Sequence, residues 1–185
     1  EIREIALKYG AEVPFLRSKK LSNDSIGIEP VIINVLENLK DNEAYTPTCI
    51  ALLMPTSPFR EINDINSALR IFLDDEVSSV ISVTPAVANN NPYWMLKEDS
   101  DNSVKLFNGQ HLSEIRVRRQ DLPDVFIRND FIYVLDPKNL YMAKSGLYGE
   151  MPKLMKVSDS RVDVDINTKL DWEVAEILFK KVNMK

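Results

Sequence analysis

Thr48-Cys49-Ile50-Ala51-Leu52-Leu53-Met54-Pro55-Thr56-Ser57-Pro58-Phe59-Arg60 is a run of apolar residues that stops abruptly in a proline-bounded polar turn. Residues 48–54 show no polar alternation, the pattern of a central parallel strand covered on both faces. Beyond the turn, Ile65, Ala68, Leu69 and Phe72 recur at helical spacing over 63–73, and 79–83 is again rich in β-formers. Strand, helix and strand in this order make a βαβ unit, and its repetition predicts a layered α/β fold.

Working outward, residues 1–9 place Ile2, Ile5, Ala6 and Tyr9 on one helical face, with Gly10 as a natural stop. Residues 12–16 predict a short edge strand because of Pro14. Residues 17–25 read as a polar loop, and 30–39 as a helix with Pro30 in its first turn. After Thr84 regularity drops, and 93–96 with 104–107 form a hairpin candidate. Residues 131–135 predict a strong strand, 138–143 a short helix, and 154–157 and 162–166 two further strands. Thr168 and Asp171 have the spacing of a capping box. It opens a last helix with Leu170, Val174, Ile177, Leu178 and Val182 on one face.

The chain has 185 residues, 44% of them hydrophobic and 28% charged, with a formal net charge of −5. Length and composition suit one globular domain spanning 1–185. There is no basic stripe for nucleic acid and no apolar run long enough for a bilayer. Cys49 is the only cysteine. It can form no internal disulfide, which fits a reducing, cytoplasmic setting, and as a free thiol it reads as a small core filler.

Asp163-Val164-Asp165 is the strongest chemical signal. Two carboxylates at i and i+2 on an extended segment point to one face and can share a hard cation. A divalent ion held by so few protein oxygens keeps positions open for waters and phosphates. A solvated acidic strand end is the competing reading of the same three residues. Likewise 56–58 alone is also an ordinary helix-capping turn, and Arg116, Arg118 and Arg119 are also a solvated charged run.

Four segments, in order, carry a resemblance. They are Tyr9-Gly10-Ala11-Glu12-Val13-Pro14-Phe15-Leu16-Arg17, then Pro55-Thr56-Ser57-Pro58-Phe59-Arg60. Arg118-Arg119-Gln120-Asp121-Leu122-Pro123 follows, with Asn129 and Ile132-Tyr133 behind it, and Asp163-Val164-Asp165-Ile166 with Asp171-Trp172-Glu173 comes last. Together they resemble the acylneuraminate cytidylyltransferase (CMP-sialic acid synthetase) family over almost the whole chain.

The resemblance implies a three-layer α/β/α nucleotide-binding sheet, Rossmann-like and of the nucleotide-diphospho-sugar transferase type, with an inserted dimerisation and sugar-binding lobe at about 106–149. It implies transfer of CMP from CTP to a nine-carbon 2-keto sugar acid such as N-acetylneuraminate, legionaminate or pseudaminate, with release of pyrophosphate. Asp163 and Asp165 would be the catalytic pair, holding Mg²⁺ (or Mn²⁺). Arg17, Met54, Pro55, Thr56 and Ser57 would border the nucleotide. Arg119, Gln120, Asn129 and Tyr133 would face the sugar, Arg119 meeting its carboxylate as a guanidinium fork does. A homodimer is the implied assembly, and neither a nucleic acid nor a membrane is an expected partner.

Departures from the pattern are informative. Met54 stands where the family usually has Gln, and Asp130-Phe131 where it commonly has Gly-Ala, so a carboxylate is expected to crowd the pocket and repel an acidic sugar. These changes point as much to a related bacterial sugar acid, such as legionaminic or pseudaminic acid, as to N-acetylneuraminate; a cytidylyltransferase for another sugar acid, such as the eight-carbon Kdo, is the alternative reading. The family also begins with a strand and a basic, glycine-rich loop that grips the triphosphate. Here only 5 glycines occur, none of them clustered, and the sequence opens inside a helical pattern. The expectation is an N-terminally truncated chain, weakly active or inactive alone, or else a non-catalytic dimerising remnant.

Overall fold

The computed structural model describes residues 1–142, 146–158, 161 and 164–183. Among the described residues, four helices, α1 (Ile2–Lys8), α2 (Ile28–Glu43), α3 (Ile62–Asp74) and α4 (Lys169–Asn183), accompany six strands. The strands are β1 (Ile50–Leu52), β2 (Ser79–Pro85), β3 (Leu96–Glu98), β4 (Val104–Leu106), β5 (Phe126–Leu135) and β6 (Pro152–Lys156). A four-stranded sheet has the order β1-β5-β2-β6, and β3 with β4 forms a separate hairpin. Strand β5 runs antiparallel to both β1 and β2, whereas β2 and β6 are parallel.

Alternation along the strands gives the sheet two apolar faces. Val80, Ile132, Val134 and Met155 meet Ala68, Ile65, Leu69 and Phe72 of α3. On the other face Ile50, Leu52, Ile81, Tyr133 and Leu135 meet Ile32 and Leu36 of α2, with Leu147 and Tyr148 beside them. A sheet with one helix on each face is the three-layer arrangement. The capping box at α3 forms between Glu61 and Asp64, the Glu61 N–H donating to Asp64 Oδ2 at 2.8 Å. At α4, the Thr168 N–H donates to Asp171 Oδ2 at 2.7 Å and the Asp171 N–H returns to Thr168 Oγ1 at 3.3 Å, as the sequence spacing predicts.

Several expectations are corrected. The run 48–54 contributes only a three-residue strand. It lies at the end of the sheet order with Ala51 exposed, so its apolar character reflects helix cover rather than a central place. The strongest central strand is β5, antiparallel to its neighbours. Residues 12–16 form no strand; Pro14 has no N–H for a ladder, and the segment joins no sheet. The helix expected at 138–143 is a 3₁₀ turn, Pro137–Tyr141, capped by Asp136; Ala143 lies outside the described residues. Of the strand expected at 162–166, Val162 and Asp163 lie outside the described residues and 164–166 is irregular.

The range 106–149 is not uniform. Residues 107–125 are loops and short 3₁₀ turns, whereas β5 belongs to the main sheet. Gly149 fastens the far end of that range. Its φ of +69° and the close approach of Asn139 and Ser78 leave no room for a Cβ. Ser78 and Ser79 donate to the Tyr148 carbonyl at 2.9 and 2.7 Å, which lays the Tyr148 ring against Tyr133. Among the described residues, no helix is long and apolar enough to cross a membrane.

Candidate functional site

β1, β2 and β6 point the same way, and the turns that leave their carboxyl ends gather at one end of the sheet. Ligands of open α/β sheets bind at that end. From β1, the turn 54–57 closes with the Ser57 N–H donating to the Met54 carbonyl at 3.2 Å. Ser57 is buried, and its Oγ reaches the Asp130 carbonyl at 3.4 Å. Arg60 turns inward rather than to solvent. Its Nε donates to the Phe131 carbonyl at 2.7 Å and its Nη2 to the Met54 carbonyl at 2.9 Å, clamping the end of β1 onto β5. Burial holds its pKa below the ordinary value, an effect that Asp64 partly offsets.

From β6, the chain returns to this turn. The Ile166 N–H donates to the Thr56 carbonyl at 2.9 Å, which sets Asp165 one residue from the Thr56–Ser57 turn. Arg161 pins the same segment to the start of α3, with Nη1 3.0 Å from Glu61 and 3.2 Å from Asp64. Asp64 thus pairs with Arg161, 97 positions away. Asp165 Oδ2 accepts from Asn167 at 2.7 Å, while Oδ1 is buried and receives no hydrogen bond among the described residues. A buried, unpaired carboxylate oxygen is costly unless a cation or donor meets it. Asp165 therefore suits a hard cation, though no three His, Cys, Asp or Glu side chains cluster for one among the described residues. Asp163, the other half of the pair, lies outside those residues.

Between β1 and β2, β5 carries a bulge. Ile81 pairs with Tyr133 but Val83 pairs with Arg128, so β5 inserts extra residues opposite Ser82. Ser82 is fully buried. It donates to Asn129 Oδ1 at 2.6 Å and accepts from the Ile132 N–H at 2.8 Å. The Asn129 amide also donates to Thr84 Oγ1 at 2.9 Å. Asn129 thus spends its side chain shaping the bulge.

Asp130, at the tip of the bulge, has φ +52°. Its Oδ1 accepts from the Tyr133 hydroxyl and lies 3.2 Å from Arg128 Nε, and Arg128 Nη1 donates to the Tyr148 hydroxyl at 2.7 Å. Burial, reinforced by Asp130, pushes the Tyr133 phenol far above its ordinary pKa, and the bond to Tyr148 raises Arg128. The carboxylate expected to repel an acidic sugar is thus matched by a guanidinium and a phenol.

The remaining sequence candidates stand apart. Arg17 donates to Ser22 at 3.2 Å and makes no other hydrogen bond among the described residues. Its loop leads into α2, which ends near Thr46 and Pro47 before β1, so the loop enters from the carboxyl-end side. Arg119 lines a small hollow of about 130 Å³ with Pro85, Asn91 and Pro123, beyond the end of β2. Gln120 is exposed on the same turn. Arg118 is paired with Asp121 at 2.8 Å, and Tyr133 is buried with only its hydroxyl directed to the bulge. Sequence reasoning missed Ser82, Arg128 and Arg161; each is an isolated polar residue whose partner is distant in the chain.

A mixed sheet with helices on both faces, its turns converging at one end, defines a three-layer α/β protein. In agreement, the solved CMP:2-keto-3-deoxy-manno-octonic acid synthetase complexed with CTP superposes with a TM-score of 0.63 at 11% identity, over 97% of this chain and 77% of that one. No family model matches the sequence. CMP-N,N'-diacetyllegionaminic acid synthase of Campylobacter jejuni is 30% identical over 188 residues, covering 100% of this chain and 75% of the relative. The Legionella pneumophila protein of the same name is 29% identical over 180 residues (97% and 74%). Pseudaminic acid cytidylyltransferase of Campylobacter jejuni is 29% identical over 187 residues (97% and 74%). The chain belongs to the acylneuraminate cytidylyltransferase family.

Proposed function

We propose that the chain transfers CMP from CTP to a nine-carbon 2-keto sugar acid of the sialic, legionaminic or pseudaminic type. The sugar's anomeric hydroxyl oxygen forms a bond to the α-phosphorus, the bond from that phosphorus to the bridging oxygen breaks, and pyrophosphate leaves with the displaced electron pair. The hydroxyl proton passes to solvent. The single observation that supports this most is the Ile166–Thr56 hydrogen bond, which sets the Asp165 segment against the Thr56–Ser57 turn.

In this reading Asp165, with Asp163, holds Mg²⁺ (or Mn²⁺), and Asp165 Oδ1 is the oxygen left for it. The bound cation supplies neutralisation of phosphate charge. Met54, Pro55, Thr56 and Ser57 border the nucleotide, and Arg17 reaches the triphosphate from the loop before α2. Arg119 and Gln120 take the sugar carboxylate side, while Asn129 and Tyr133 set the shape of the wall. A homodimer built through the 106–149 lobe, acting in the cytoplasm, completes the proposal. Positioning and charge complementarity are what such a site has to provide.

Pyrophosphate release, measured with CTP or UTP and with nine-carbon sugar acids or Kdo, tests the reading. Turnover is expected with CTP and a nine-carbon acid, and Asp165→Asn is expected to lower it by about two orders of magnitude with the fold intact. A preference for Kdo would move the substrate assignment. No turnover and no CTP binding by a stable dimer would identify a non-catalytic remnant.

A further inference from the structure

Asp130 occupies a backbone conformation, φ +52°, in which most L-residues are strained, while Asp and Asn are tolerated there. Its carboxylate is fixed from one side only. Tyr133 and Arg128 both address Oδ1, and no described residue donates a hydrogen bond to Oδ2. The side chain is 38% exposed, so this second oxygen faces accessible space at the ligand end of the sheet. Ser57 touches the same residue's carbonyl, which keeps it adjacent to the Thr56–Ser57 turn.

We propose that Asp130 is a specificity-determining residue, whose Oδ2 accepts a hydrogen bond from a neutral donor of the sugar acid, an amide N–H or a hydroxyl. The inference rests on the transferase reading above and deepens it. An ionised carboxylate is acceptor-only, so this position selects for a donor. Its charge is offset by Arg128, so an anionic sugar is admitted beside it. Arg128, held by Tyr148 and Asp130, and Tyr133, held in the core, act as positioning residues that keep Oδ2 in one place. Their bonds leave the carboxylate little freedom to turn, which is the preorganisation that a discriminating contact needs.

The decisive variant is Asp130→Gly. Glycine suits φ +52° without strain, which offsets part of the loss of the Tyr133 and Arg128 bonds to the carboxylate, and a thermal melt checks that the variant is folded at the assay temperature. Steady-state pyrophosphate release is measured with sugar acid varied at saturating CTP, then with CTP varied at saturating sugar. D130G is expected to raise the KM for the sugar acid about ten- to a hundred-fold, as loss of a hydrogen bond to a charged group does. The KM for CTP should stay within about twofold.

Asp130→Asn, which tolerates the same backbone and keeps one acceptor oxygen, should recover part of the loss. N-acetylneuraminate is run beside its counterpart carrying hydrogen in place of the acylamino group. An effect confined to the first assigns the amide N–H, and an equal effect on both assigns a hydroxyl. An unchanged or lowered sugar KM in D130G, with turnover retained, overturns the role of Asp130 and leaves the transferase reading standing. Absence of wild-type turnover with every sugar acid overturns both.

Discussion

The two halves of β5 belong to one strand and have opposite characters. From Phe131 to Leu135 every side chain is buried, four of the five fully, because α2 and α3 cover both faces of the sheet there. From Phe126 to Asp130 the strand is half-exposed, and its polar side chains bond one another and Ser82, Thr84, Tyr133 and Tyr148 instead of filling a core. The boundary is the bulge opposite Ser82. Antiparallel pairing resumes on either side, so the sheet is continuous while its job changes from packing to presenting polar groups. A core needs apolar side chains and an exposed edge polar ones, and a bulge lets one strand carry both.

The largest contrast should appear in paired truncations. Ile132→Ala, in the buried half, is expected to cost about 2–5 kcal/mol in chemical denaturation. Ile127→Ala, 41% exposed in the other half, should cost no more than about 1 kcal/mol. Similar costs for the two would mean that the exposed half is packed against something else in solution.

A smaller effect probes the boundary itself. Ser82→Ala leaves the Ile132 N–H without its acceptor and removes one donor from Asn129. A loss of about 1–3 kcal/mol is expected, since a buried donor is stranded. Under a few tenths of a kcal/mol, on the order of experimental additivity error, the bulge would not depend on Ser82.

Tyr133 links the halves and gives the most delicate test. The fold holds its phenol neutral well above the ordinary value, through burial first and Asp130 second. Below about pH 10 the phenol is neutral in folded and unfolded chains alike, and its contribution is fully present. Above that pH the unfolded chain ionises while the folded one does not, so stability falls as pH rises. Denaturation of wild type and Tyr133→Phe from pH 8 to 11 should show the wild-type advantage shrinking only at the alkaline end. A constant difference would place the hydroxyl in ordinary contact with water.

How much of this was legible in the chain depends on how local the cause is. The helices over 28–43, 62–74 and 169–183 were readable because periodic apolar residues and capping pairs act within a few positions. The order of the sheet was not, since 48–54 and 131–135 look alike as apolar runs and only long-range pairing decides which is central. In the candidate site, the Ile166–Thr56 hydrogen bond lays the segment after Asp165 beside the 54–57 turn. Asn129 and Tyr133, sugar-facing in the sequence reading, bond to Ser82, Thr84 and Asp130, partners that local spacing does not indicate. A motif marks polar residues without telling which neighbours they bond. The clamps made by Arg60 and Arg161 depend on partners about 70 to 100 positions away, a range at which spacing carries no signal.

The central claim is that the Thr56–Ser57 turn and the Asp165 segment surround one divalent ion and one cytidine nucleotide. Paramagnetic broadening of backbone amide resonances by Mn²⁺ in the presence of CTP tests it most directly. The account predicts selective broadening of Thr56, Ser57 and Ile166, abolished in Asp165→Asn. Broadening centred on another part of the molecule, or an unchanged pattern in the variant, would contradict it.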